Sequence, residues 1–83
     1  MGAIDIIQGI LIYMYAHDHN PPHIHIRYAD IRFSITIKER EVEGKSNSRL
    51  IRIINEYIDA HEEQLLELWG KAQRGERIKK IKR

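Results

Sequence analysis

Two stretches of strict alternation, set two residues apart, constrain this chain more than any other feature. His23-Ile24-His25-Ile26-Arg27-Tyr28 alternates polar with apolar, and Ile31 to Lys38 does the same. A period of two marks a strand with one buried face. Ala29-Asp30 between them has the length of a two-residue hairpin loop. Such a loop pairs Tyr28 with Ile31, Ile26 with Phe33 and Ile24 with Ile35. Both apolar sets then fall on one side, which supports the register independently, because a slip of one residue turns every side chain over. His23 opposite Thr36, His25 opposite Ser34 and Arg27 opposite Arg32 are left together on a polar face, off the core.

Upstream lies His17-Asp18-His19-Asn20-Pro21-Pro22-His23-Ile24-His25, which holds four of the chain's five histidines. Asn20 and Pro21 each precede a proline and are biased to extended geometry. Neither proline can donate to a ladder. The segment therefore reads as a stiff loop feeding the first alternating strand. Before it, Ile10 to Tyr15 has the length and composition of a strand. Residues 1 to 9 show no period, with Gln8-Gly9 as a weak breaker.

After the hairpin, Lys38 to Glu41 reads as a charged turn, and Val42 as the start of a short strand before Gly44. Ser46, Asn47 and Ser48 are N-cap candidates. One long helix follows. Leu50, Ile54, Tyr57, His61, Leu65, Leu68 and Ala72 recur at steps of three and four. Gly75 suits the position just past a helix end, and Gly70 either weakens the helix or ends it early. His61, on this stripe, is expected as a core or rim histidine, and Trp69 as a core or edge aromatic. The acidic positions are expected to be solvated, with Glu56 and Glu67 near Arg52 and Lys71 at helical spacing. The expected fold class is α+β: a small antiparallel sheet of three to four strands with one long C-terminal helix on its apolar face.

The length, 83 residues, allows one domain, 1–83, with residues 74–83 as a basic tail carrying six positive charges and one negative. Ile78 and Ile81 are expected to tack that tail against the body. With 42% hydrophobic and 31% charged residues, the chain reads as globular. Its longest apolar run, Ile10 to Ala16, is too short to span a bilayer. No signal peptide is expected, and Ile6 stands where a myristoylation motif after Gly2 wants Ser or Thr. Without cysteine, disulfides and thiolate metal sites are excluded. A reducing cytoplasm is the expected compartment.

Three chemistries fit the polar face. The first is a metal site. Imidazole is a common ligand for zinc, nickel and copper, and His23 and His25, at i and i+2, can aim two nitrogens at one divalent ion. His19 can reach in from the loop, with Asp18 as a further ligand or an orienting partner. The second is a phosphate or RNA site. Arg27 directly opposite Arg32 sets like charges together, which is destabilising unless an anion sits there. Tyr13, Tyr15 and Tyr28 offer stacking surfaces, although Tyr28 is expected to face the core, and His19, His23 and His25 are the candidates for general acid and base work. The histidine-triad hydrolase pattern fails, because its third histidine position is Arg27. The third is purely structural: a rigid corner whose imidazoles cap backbone groups.

The segment Asp18-His19-Asn20-Pro21-Pro22-His23-Ile24-His25, followed by the aromatic Tyr28, resembles the D/E-H-x-P-P-H-x-H signature of domain-of-unknown-function family 4160, a family of small bacterial proteins. The resemblance continues to Gly44, resumes at His61-Glu62-Glu63-Gln64-Leu65-Leu66 and Trp69, and reaches Gly75 and Ile81. His17 lies outside the signature. The resemblance implies a toxin–antitoxin-type module, and with the polar face and the basic tail the expected role is to act on or bind RNA, or a small acidic partner protein encoded nearby. It implies no reaction.

Overall fold

A computed structural model describes residues 3–81. Five strands, β1 (Asp5–Ile7), β2 (Ile10–Tyr13), β3 (His23–Tyr28), β4 (Ile31–Thr36) and β5 (Val42–Gly44), precede one helix, α1 (Ser48–Gln73). The strands form a single antiparallel meander in the order β1-β2-β3-β4-β5. The fold is therefore α+β. The helix lies against the apolar face, where Ile12, Ile24, Ile26 and Ile35 meet Leu50, Ile54, Ile58 and Leu65 in one buried cluster.

The central hairpin has the register expected from alternation. Tyr28 pairs with Ile31, Ile26 with Phe33, Ile24 with Ile35, and His23, His25 and Arg27 with Thr36, Ser34 and Arg32. Ala29 takes φ 54 in the turn, a left-handed value.

One strand exceeds the expected three to four. Residues 5–7 form β1, joined to β2 by Gln8 (φ 49) and Gly9 (φ 79). Two left-handed residues in succession match the twist of a tight hairpin. The strand carries no apolar period because Asp5, opposite Ile12, faces the core. It is 8% exposed and accepts a hydrogen bond from Tyr57 Oη at 3.0 Å, so a polar group sits where an apolar one was sought. β2 ends at Tyr13 and not at Tyr15.

Asn47 caps α1, its Oδ1 accepting from Leu50 N–H at 2.9 Å. The helix runs through Gly70 and closes with Gly75 (φ 73): Gly75 N–H donates to Ala72 O, and Glu76 N–H to Lys71 O. This is the paired closure that a left-handed glycine permits. The backbone breaks helical geometry once, at His61 (φ −128, ψ 20). Beyond the helix, Ile78 and Ile81 are half-buried against the core, and Ile81 N–H donates to Ile4 O at 2.9 Å. Arg77, Lys79 and Lys80 are exposed. Lys82 and Arg83 of the basic tail, like Gly2, lie outside the described residues. Among the described residues no helix is long and apolar enough to cross a membrane.

Candidate functional site

The loop between β2 and β3 is held by the end of the helix. His17, at φ 57, donates its N–H to Ala72 O at 3.1 Å. Gln73 Nε2 donates to Asp18 O at 2.9 Å. Pro22 O accepts from Ile37 N–H, which ties the proline corner to the end of β4. The Asn20–Pro21 bond is cis.

The site gathers around Asp18. His25 Nε2–H donates to Asp18 Oδ2 at 2.8 Å. His23 Nε2 lies 3.0 Å from the same oxygen but off hydrogen-bonding geometry, and it is a buried side-chain atom without a hydrogen bond. The other face of that ring explains its state. His23 Nδ1 stands 2.7 Å from Pro21 O. A carbonyl only accepts, so Nδ1 carries the proton. In the neutral ring, Nε2 then turns a lone pair toward a carboxylate. Asp18, His23 and His25 place their donor atoms within 4.8 Å of one another.

His19 stands apart from this set. Its side chain is 76% exposed, and its Nδ1 is 3.0 Å from the other carboxylate oxygen, Oδ1, which also accepts the His19 N–H. Burial acts to raise the Asp18 pKa. The hydrogen bonds from His25 and the His19 N–H, with the positive charge that the His23 and His25 rings bring when protonated, outweigh it and hold the carboxyl below its ordinary value.

His23 departs from the expected solvated polar face. It is 4% exposed. β2 pairing ends at Tyr13, opposite His25, so no β2 residue flanks His23. The helix fills that place, with the Trp69 ring 5.1 Å from the imidazole. His25 remains half-buried under Tyr15, whose ring lies 4.5 Å away.

Two concavities flank the histidines. One, of about 170 Å³, is lined by His19, Pro21, His23, Thr36 and Glu41 among others. The second, of about 320 Å³, is walled by Tyr13, Tyr15, His25, Arg27, Arg32 and Glu43. Ser34 lines both. Arg27 lies 6.0 Å from the Tyr13 ring centre. Among the described residues, no carboxylate pairs with Arg27 or Arg32.

His61 takes the rim position expected of it. It is half-buried, 4.7 Å from the Tyr57 ring, with Nδ1 3.1 Å from Gln64 Oε1. Two of the acidic helix residues are not merely solvated, since Arg40 pairs with Asp59 at 2.8 Å and Glu62 at 3.6 Å.

Sequence reasoning missed two supports of the site, Trp69 as the backing of His23 and Gln73 as the tie to Asp18. They lie four residues apart, on one face of the helix. That spacing was visible, but nothing in it says what the face meets.

The fold and site define a small α+β protein with a histidine–carboxylate cluster at one end of a β-meander. The chain belongs to the family described as Domain of unknown function (DUF4160), whose model matches residues 9–70. The match spans β2 to β5, the whole His/Pro loop and most of α1. No curated protein and no solved structure matches the chain.

Proposed function

We propose that the protein binds a divalent transition metal, zinc or nickel, through His23 Nε2, the Asp18 carboxylate and His25 Nε2, which releases its proton to solvent as the metal binds. The observation that carries this reading is the buried, unbonded Nε2 of His23 beside an ionised carboxylate. A neutral imidazole whose other nitrogen donates to a backbone carbonyl is the usual state of a metal-ligating histidine. The spacing agrees. Metal–ligand bonds of about 2.0–2.2 Å set neighbouring ligand atoms about 2.8–3.6 Å apart across octahedral and tetrahedral angles, and the two histidine nitrogens stand at the short end of that range, 2.8 and 3.0 Å from Asp18 Oδ2. A set of two histidines and one carboxylate leaves coordination positions for water or substrate. The 170 Å³ concavity beside His23 gives access, and His19 on its wall is within reach as a fourth ligand. A metal held this way supplies a Lewis acid and an activated water. Pro21, Trp69 and Gln73 hold the ligands in place. The setting implied by the resemblance of the His/Pro segment is a toxin–antitoxin-type module.

The test is calorimetric titration of zinc and nickel into chelator-treated, tag-free protein, with metal analysis of the native preparation. One metal per chain is expected. Asp18→Asn and His25→Ala should each weaken binding by about 100-fold or more, while His61→Ala should not. Wild-type affinity equal to that of Asp18→Asn would overturn the proposal.

A further inference from the structure

The outer face of the sheet holds a second feature that the metal site does not use. Arg27 and Arg32 are directly opposed Cα partners on adjacent strands. Like charges so placed repel, and no carboxylate among the described residues neutralises either. Next to them, Tyr13 and Tyr15 have ring centres 6.2 Å apart and nearly parallel planes, at 21°. Tyr15 packs against His25 and Tyr13 and still leaves 42% of its surface exposed, large for an aromatic residue. The groove of about 320 Å³ joins both pairs and reaches His25.

We propose that this groove is a subsite for single-stranded nucleic acid, with a phosphodiester between Arg27 and Arg32 and a base against Tyr13 and Tyr15. Arginine forks suit phosphate oxygens, and every base offers a face to an aromatic ring. The pairing of the two explains the groove better than phosphate alone, which needs no tyrosines. A sheet face carrying basic and aromatic side chains is an arrangement on which single strands are commonly bound, and here Tyr15 extends that face just past the end of β2. Glu43 also lines the groove. It stands across from Ser34, one same-face row away from the arginine pair, so it narrows where the phosphate can sit without occupying that place. His25 belongs both to the groove and to the Asp18 cluster. A strand laid on the arginines therefore passes the proposed metal ligands. This inference rests on the metal reading only for what is then done to the strand.

Binding can be read without metal, which separates failure of one proposal from failure of the other. A labelled eight-nucleotide oligo(U), its duplex with oligo(A), and inorganic phosphate are titrated against chelator-treated full-length protein. At ~50 mM salt the single strand should bind and the duplex should bind more weakly. Arg27→Gln and Arg32→Gln should each lower affinity about tenfold and reduce the salt slope by about one. Tyr13→Ala or Tyr15→Ala should lower it about fivefold. The tail variant Lys79→Gln with Lys80→Gln should keep most of the affinity and all of the tyrosine dependence. Circular dichroism checks each fold, and the exposed Arg32→Gln carries the test if Arg27→Gln does not fold. Unchanged binding in Arg32→Gln would overturn the proposal, as would equal affinity for duplex, loss of binding only in the tail variant, or displacement of the oligonucleotide by equimolar phosphate.

Discussion

His23 and His25 sit two residues apart on one strand and have different surroundings. His25 is half-buried and bonded through its Nε2. His23 is buried, donates backward to Pro21 and leaves its Nε2 without a hydrogen bond. A buried polar atom left unbonded costs roughly 1–3 kcal/mol, and a cation or a second proton on the ring removes that cost. His23→Ala is therefore expected to act on two quantities. It should abolish tight metal binding, and it should also cost about 1–3 kcal/mol of metal-free stability through lost packing on Trp69. His25→Ala should cost less. Urea unfolding of both variants, with and without zinc, separates the two effects. The reading of both histidines as lying off the core was right for direction and wrong for burial of His23. Alternation says which way a side chain points, but it cannot say that the neighbouring strand has already ended. Asp18 adds a pH dependence. Its folded pKa is lowered, so its contribution is full above the unfolded value and is lost as pH falls through the folded one. Metal-free protein should lose urea resistance below about pH 4, and Asp18→Asn should flatten that loss.

Among the elements, the central hairpin was legible to the residue, because two apolar sets had to share one face. The helix start was legible only to within Ser46, Asn47 and Ser48, of which Asn47 is the cap, and its close at Gly75 was legible beside an alternative stop at Gly70. β1 was not, since three residues are too few for a period and the one facing inward is an aspartate. The break at His61 was also hidden, because the apolar stripe continues past it. Of the site, the histidines and arginines were legible as a face, whereas Asp18 as the hub depends on a loop path that no pattern encodes. β5 offers a test at this scale. Gly44 has φ 110, and a Cβ there would lie 2.9 Å from Arg32 O and 3.0 Å from Phe33 Cα. Gly44→Ala is expected to destabilise by about 1–3 kcal/mol, read as a lower urea midpoint. Because β5 carries Glu43 on the groove wall, the same variant should also alter oligonucleotide binding more than a surface substitution of α1 does.

Across the whole molecule, residues 76–81 return to the sheet. Ile81 N–H meets Ile4 O, just before β1, and Ile78 and Ile81 pack on the core. Truncation after Gly75 should cost about 1–3 kcal/mol of stability, the part-burial of two isoleucines, and leave the fold intact by circular dichroism. The two isoleucines were readable as a tack, whereas the backbone bond from Ile81 to Ile4 was not, since the strand that Ile4 leads into was not read. The other long-range tie concerns the site. Trp69 backs His23, Gln73 holds Asp18 O, and Ala72 O receives the His17 N–H. A chain leaving the ribosome presents Asp18, His23 and His25 some fifty residues before these three appear. Throughout that interval the ligands are all present and nothing clamps the loop that carries them. Any fragment that stops short of Trp69 therefore contains every proposed ligand and no finished site, so the metal capture proposed above has to wait until the helix is nearly complete.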